Sequence, residues 1–384
     1  MKKRRDPKFE LLRISSMFMI IIWHILMYAS VMDYASPNVR YVLYLLQAIC
    51  VVHVNSYILV TGYYQCKTKF NPKKVFGIMN ASWFYRVLCT LIVIGFQLYA
   101  MSTVDIIRSI MPYQSSAYWF INSYLVLYLL SPFLNILLKH LNQKQHKMLI
   151  VLLVFLTSVM TNLSNQRFFY NNYGLSPVTF VMLYIIGAYF RNYPLSENKL
   201  LKGNTRRKNQ LLFFSFFVFA FLVNYLMKMF TVTVLTSDQS VIAYLSQVLN
   251  AMFTNYDNPL VLLGTIMYFG YFSTLEIKHD FLTRLINRVS ALTLGIYMIH
   301  ENLLFRFRGY QWLGFIKGNV YYSWTIVIRI LLITVIIFVI CAVIEWLRQW
   351  LFNMIKRTKW SKRFRNSLLS YWNSLGIYPI ELVK

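Results

Sequence analysis

Long apolar segments alternate with short polar or basic segments along almost the whole chain. Most of the apolar segments are about 17–25 residues long, the length at which an α-helix crosses the hydrocarbon core of a bilayer. The pattern therefore predicts an all-α fold, a polytopic transmembrane helix bundle of about ten spans, near residues 11–30, 39–63, 80–101, 117–138, 148–162, 175–190, 210–229, 258–275, 290–306 and 322–347.

The composition supports a membrane protein. Of the 384 residues, 58% are apolar and only 13% are charged, whereas a soluble domain is about 25% charged. A bilayer can accept that much apolar surface because it is itself an apolar solvent. The 39 basic residues outnumber the 12 acidic ones, but they lie in short clusters between apolar segments. We therefore expect lipid contact and no nucleic-acid partner.

The distribution of these basic residues predicts the orientation. With the N-terminus inside, the segments that become cytoplasmic hold 29 of the 39 lysines and arginines. This is the asymmetry that the positive-inside rule requires. An even number of spans then brings the C-terminus back, so both termini are expected in the cytoplasm.

Two regions are expected along the chain. Residues 1–347 form the transmembrane domain, and the basic, aromatic tail 348–384 is expected to form an interfacial amphipathic helix. The first apolar run is of full span length and contains ionisable residues, so we expect a permanent span instead of a cleaved leader. The four scattered cysteines have no metal-binding spacing, and no metal site is predicted.

Arg13 and His24 are ionisable residues within the first predicted span. They are eleven residues apart, so both share one helix face, about 16 Å apart along it. The guanidinium suits phosphate, and the deeper imidazole suits proton transfer. Snorkelling of Arg13 and a core hydrogen bond of His24 remain the simpler alternatives.

Three further residues are predicted at matching depths. Arg86 is expected near the depth of Arg13, so that the two flank one anionic head. His300 is expected at the depth of the first-span histidine. Glu301 follows it and points about 100° away in a helix, where it is available to orient an imidazole or to pair with Arg329. A buried polar network that only specifies packing is the alternative.

The other polar residues of the spans are less decisive. His53 and Asn55 lie mid-membrane in the second span, about 200° apart on a helix, and the pattern does not choose which of them faces the site. His146 falls in a predicted cytoplasmic loop, where we expect it to be solvated.

The spacing of Arg13 and His24 in a first span after a basic N-terminus resembles the acyltransferase 3 family. Other segments resemble that family's motifs in the same order: Val54 to Tyr63, in which Thr61 replaces a serine; Arg86; Tyr118-Trp119-Phe120; and Leu294 to His300. The resemblance covers roughly residues 5–348.

The resemblance implies an O-acyltransferase of the bacterial plasma (inner) membrane. It implies acetyl-CoA or another short acyl-CoA as co-substrate, with no tightly bound cofactor, and a glycan or a lipid-linked sugar as acceptor. Because no hydrolase-like domain is fused at the C-terminus, we expect the membrane domain alone to complete the transfer.

The residues and the resemblance together give one hypothesis. His24 acts as general base, and His300 handles a second proton or orients the first group. The donor phosphates are held by Arg13 and Arg86, and the supporting residues of the site are Glu301, Asn55 and Trp119. A transporter or flippase of a lipid-linked oligosaccharide is the alternative, because buried arginines and histidines also line transport paths. No internal repeat is visible, which mildly disfavours it.

Overall fold

The computed structural model describes residues 5–29, 31–111, 118–163, 172–197, 199, 201–234, 255–306 and 325–355, together with positions 367, 370 and 374. In these parts of the chain the regular structure is helical, with no strand. The α-helices are α1 (Pro7–Tyr28), α2 (Val31–Tyr34), α3 (Pro37–Cys50), α4 (His53–Gln65), α5 (Pro72–Gly95), α6 (Thr103–Ile110), α7 (Trp119–His140), α8 (Gln143–Val154), α9 (Met160–Leu163), α10 (Pro177–Asn192), α11 (Arg206–Val234), α12 (Pro259–Thr274), α13 (Asp280–Ser290), α14 (Thr293–His300), α15 (Leu303–Arg306) and α16 (Thr325–Ile355).

Seven helical stretches in the described residues are long and apolar enough to cross a membrane. They are Pro7–Tyr28, Pro37–Gln65, Pro72–Gly95, Trp119–His140, Gln143–Asn162, Arg206–Met229 and Thr325–Ile355. The predicted fold class, a multi-pass helical membrane protein, is thus confirmed. The count of ten spans and the cytoplasmic location of both termini stay predictions.

Proline after a capping side chain starts three of the helices. The side chains of Asp6, Asn71 and Asn258 accept hydrogen bonds from the backbone N–H two residues on. Each is followed by a proline in the first helical position, where its missing N–H is not needed. This pairing explains why α1, α5 and α12 begin where they do.

Two predicted spans are interrupted in the structure. The second span breaks at Val51 and Val52, so α3 ends and α4 begins inside the apolar stretch. The predicted span 290–306 is not one helix, because α14 ends at His300. The Asn302 side chain then accepts the N–H of Leu304 at 3.1 Å and caps the next short helix. The sequence pattern assumes one unbroken helix for each of these spans, and both spans depart from it.

Helix α16 extends further than the predicted span. α16 continues to Ile355, through the predicted end of the transmembrane domain at residue 347. The interfacial helix predicted for 348–384 falls mostly outside the described residues. The boundary between these two regions stays a prediction.

Helix α1 lies at the centre of the bundle and packs on α3, α4, α12, α13, α14 and α16. α1 and α14 run side by side in the same direction. At the N-terminal end of α1, Glu10 accepts a hydrogen bond from Ser290, just before α14, and at the other end His24 meets His300. We call the side of the bundle on which α1 begins the α1-start side.

Helices α4 and α10 approach each other closely. A Cβ atom added to Gly62 would lie 2.2 Å from the carbonyl oxygen of Tyr184, and one added to Gly187 would lie 2.1 Å from that of Leu59. Only glycine allows the two backbones to touch in this way. This contact fixes α4, which carries the polar residues of the second span.

Candidate active site

Two histidines and a carboxylate meet on the side of the bundle opposite to the α1-start side. His24 Nδ1 lies 3.0 Å from His300 Nε2 and 3.1 Å from Glu301 Oε2. Glu301 is 1% exposed, whereas 10% of the His24 side chain is exposed. The structure thus brings together the histidine of the first span and that of α14, as their matched depths predict.

The hydrogen bonds of His300 determine which nitrogen of each ring carries a proton. His300 Nδ1 lies 2.6 Å from the carbonyl oxygen of Ile296, which can only accept, so Nδ1 is the donor. Nε2 of a neutral His300 is then an acceptor for the Nδ1–H of His24. A neutral His24 with its proton on Nδ1 has a lone pair on Nε2. That nitrogen is therefore the basic atom of the centre.

Glu301 faces His24 because the helix has already ended. Its backbone angles, φ −94° and ψ 8°, are not those of an α-helix, so the 100° separation from His300 does not apply. Its Oε1 accepts from the Tyr28 hydroxyl at 3.2 Å and lies 3.2 Å from Arg306 Nη1. The prediction that Arg329 pairs with Glu301 is wrong, since the cation that pairs with this carboxylate is Arg306. Sequence reasoning had overlooked Tyr28 and Arg306.

His24 contacts both other groups of the centre directly. Among the described residues, no group of three or more histidine, cysteine, aspartate or glutamate side chains has the arrangement of a metal site. The arrangement is that of a base, His24, held by an acceptor imidazole and a buried carboxylate.

Arg13 lies closer to the α1-start side, six residues into α1. Its Nη1 donates to Glu10 Oε1 at 2.9 Å, and 21% of its side chain is exposed. Glu10 is 1% exposed and also accepts from Ser290 at 2.5 Å. No sequence pattern pointed to Glu10, which holds the arginine in place. Eleven residues of continuous helix separate Arg13 from His24, so the two lie on one face about 16 Å apart.

Lys74 is a second cation at the level of Arg13. Its Nζ donates to the Tyr124 hydroxyl at 2.8 Å and lies 4.4 Å from the centre of the Tyr128 ring. The Tyr124 hydroxyl is also close enough to the Arg13 guanidinium for the two groups to interact electrostatically. The side chain of Lys74 is exposed and lies in the first turn of α5. A lysine pair at the start of a span is the sequence signal that could have pointed to it.

Arg86 does not lie at the depth of Arg13, and this part of the prediction is wrong. Helix α5 begins at Pro72 instead of residue 80, so Arg86 is about 21 Å along it. Its guanidinium lies over the Tyr118 ring, 4.6 Å from the centroid, and Nη1 donates to the carbonyl of Met111 at 3.3 Å. Tyr118 in turn accepts a hydrogen bond from Asn302 at 3.0 Å. Arg86 therefore lies near the histidine centre.

The other two predicted site residues meet at one tyrosine. Asn55 is fully buried and its Nδ2 donates to the carbonyl oxygen of Tyr256 at 2.7 Å. Trp119 stacks on the Tyr256 ring, with centroids 5.9 Å apart and an interplanar angle of 25°. Both residues therefore position the segment that precedes α12.

A cavity of about 460 Å³ opens on the α1-start side. Its lining includes Lys8 and Phe9 of α1 and Arg206 of α11. Phe9 stacks on Phe269 with ring centroids 4.9 Å apart, which gives the cavity an aromatic wall. Phe9 is one helical turn from Arg13.

The protein-family comparison identifies the family of the chain. A family model described as an acyltransferase domain, Acyl_transf_3, matches residues 6–346, nearly the whole chain. The chain belongs to this acyltransferase family. No curated protein and no solved structure matches the chain significantly. A membrane acyltransferase requires an acyl donor and a bilayer, and membership favours an enzyme over the transporter alternative.

Proposed function

We propose that this membrane acyltransferase is an O-acyltransferase that moves an acetyl or other short acyl group from acyl-CoA to a hydroxyl of a surface or exopolysaccharide sugar. The contact of His24 Nδ1 with His300 and Glu301 carries the proposal, because it leaves Nε2 as the basic atom. The family implies the bacterial plasma membrane as the location. The charge asymmetry predicts that the α1-start side is cytoplasmic.

The histidine centre suits a general-base step. The proton of the acceptor hydroxyl passes to His24 Nε2 while the hydroxyl oxygen bonds to the thioester carbonyl carbon. The C–S bond then breaks, and the CoA thiolate takes the proton from the imidazolium. Before the proton transfer, His300 accepts the hydrogen bond of the His24 Nδ1–H and so fixes the orientation of the ring. Once the imidazolium has formed, Glu301 stabilises its positive charge. Every proton and bond of the transfer is accounted for without a bound cofactor.

The donor would extend along α1. Arg13 and Lys74 are cations at one level, and Lys74 takes the place that the sequence had given to Arg86. The cavity beside Phe9 has the volume of a small-molecule site. The distance of about 16 Å from Arg13 to His24 fits a donor with phosphates at one end and a thioester at the other.

Acetyl-CoA turnover tests this function. We expect the purified protein in lipid nanodiscs to release CoA from acetyl-CoA, and Arg13→Gln to raise the KM for acetyl-CoA about tenfold, because a charge-assisted phosphate contact is lost. Arg86→Gln serves as the comparison and should leave this KM unchanged. If the protein neither binds acetyl-CoA nor releases CoA at millimolar acetyl-CoA, the proposal is contradicted and a flippase is favoured.

A further inference from the structure

A third histidine lies beside the centre and has no role in the transfer described above. His53 is the first residue of α4, directly after the break in the second span, and is 0% exposed. It is close enough to His24 for the two imidazoles to interact electrostatically. The break therefore puts a polar ring at mid-membrane, next to the proposed base.

The hydrogen bonds of His53 leave one buried acceptor atom. Its Nδ1 lies 3.3 Å from the carbonyl oxygen of Val51, which can only accept, so Nδ1 carries the proton. Nε2 then carries a lone pair, and no donor among the described residues reaches it. A buried acceptor without a partner is costly, and native proteins retain few of them. A donor from a bound molecule would satisfy this atom.

Aromatic rings pack beside the His53 ring. The centroid of the His53 ring lies 5.5 Å from that of Trp23 and 5.4 Å from that of Tyr256. Trp119 stacks on the other side of Tyr256. Such a site offers aromatic faces to C–H groups and a nitrogen to O–H groups. A sugar ring presents both kinds of group.

We propose that His53, Trp23 and Tyr256 form the acceptor subsite, which binds a sugar ring by a hydroxyl other than the one that is acylated. This inference rests on the proposed function. His24 Nε2 takes the proton of the reacting hydroxyl, while His53 Nε2 accepts a hydrogen bond from a neighbouring hydroxyl. His53 thereby selects polyhydroxylated acceptors over simple alcohols.

Acceptor kinetics with two kinds of probe test this subsite. The probes are a panel of methyl glycosides, which offer neighbouring hydroxyls, and ethanol, which offers one. His53→Phe keeps a ring but removes the lone pair, so it should raise the KM of an accepted glycoside about tenfold. Transfer to ethanol and hydrolysis of acetyl-CoA should stay at the wild-type rate. His53→Gln keeps an acceptor oxygen and should stay close to the wild-type KM.

His146 provides a matched control. Contrary to the sequence-based expectation it is not solvated: it is 0% exposed, donates from Nε2 to the Ile185 carbonyl at 3.0 Å, and has an unpartnered Nδ1. It lies in α8, near the start of that helix. His146→Phe should leave both glycoside and ethanol kinetics unchanged.

Three results would overturn the subsite. The first is an equal glycoside KM for His53→Phe and the wild type, and the second is a loss of transfer to ethanol as large as the loss with the glycoside. The third is that the wild type accepts no methyl glycoside. The first two would assign a permanently bound water to His53 Nε2. If His53→Phe does not fold, Tyr256→Leu removes one ring and should raise the glycoside KM in the same way. Absence of acetyl-CoA hydrolysis by the wild type would instead contradict the proposed function itself.

Discussion

His24 Nδ1 has one proton and two acceptors in reach, His300 Nε2 at 3.0 Å and Glu301 Oε2 at 3.1 Å. In the neutral ring this proton is donated to His300 Nε2. When Nε2 also gains a proton, the ring becomes a cation, and the carboxylate 3.1 Å away favours this charged form. Arg306 pairs with the same carboxylate at 3.2 Å and orients it. At the scale of single residues, Glu301 therefore stabilises the charged form of the base.

Replacing Glu301 by glutamine tests this role. The change keeps the size of the side chain but removes its charge, so we expect kcat to fall about 10²-fold, within the range of general-base effects. The KM for acetyl-CoA should stay unchanged, because Glu301 lies far from the predicted donor phosphates. Steady-state kinetics of the purified protein measure both quantities.

Glu345 supplies the control for that variant. It is also a buried carboxylate, 2% exposed, and it pairs with Arg348 at 2.7 Å on α16. Glu345→Gln should lower stability but leave kcat per folded molecule unchanged. Equal kcat values for Glu301→Gln and wild type would contradict the role of Glu301.

At the scale of elements, the position of α4 depends on a backbone contact that only glycine permits. Gly62→Ala would drive a Cβ to 2.2 Å from the Tyr184 carbonyl oxygen, so α4 and α10 must separate. We expect a loss of about 1–3 kcal/mol in the free energy of unfolding. Thermal unfolding in detergent, followed by the fluorescence of the tryptophans, measures it.

Gly77 provides the opposite case on α5. A Cβ atom there meets nothing within 4 Å, and alanine is the better helix former by about 1 kcal/mol. Gly77→Ala should therefore be neutral or slightly stabilising. If both alanine variants unfold at the same temperature, the close contact between α4 and α10 is not what holds these helices.

The sequence predicts the apolar helices well and their interruptions poorly. Hydropathy identifies long spans because each one must satisfy its backbone hydrogen bonds within itself. The break at Val51 and Val52 lies in an apolar run without glycine or proline, so no local signal marks it. The turn after His300 depends on contacts of Glu301 and Asn302 with other helices. Such contacts cannot be found from periodicity.

The candidate site was predictable where one helix determines the geometry. Arg13 and His24 lie on α1, and their spacing follows from helical rise alone. The depth of Arg86 was misjudged because it depends on where α5 begins, eight residues earlier than the apolar run suggests. Tyr28, Arg306 and Lys74 join the site only through tertiary contacts, and sequence patterns do not report those.

At the scale of the whole molecule, two levels of polar groups lie along α1. Arg13 and Lys74 mark one level near the α1-start side, and the His24, His300 and Glu301 centre marks the other. Buried ionisable groups are costly in a membrane and are usually functional there. Under the proposed function, the spans would form a path along which an acyl donor reaches His24, in addition to anchoring the protein.

The rate of CoA release by His24→Ala tests the central claim most directly. The variant and the wild type are compared in nanodiscs at saturating acetyl-CoA, with folding of both checked by thermal unfolding. We predict a fall of about 10³-fold, because general-base assistance at Nε2 is lost while the donor cations remain. CoA release at the wild-type rate by a folded His24→Ala protein would contradict the assignment of His24 as the base.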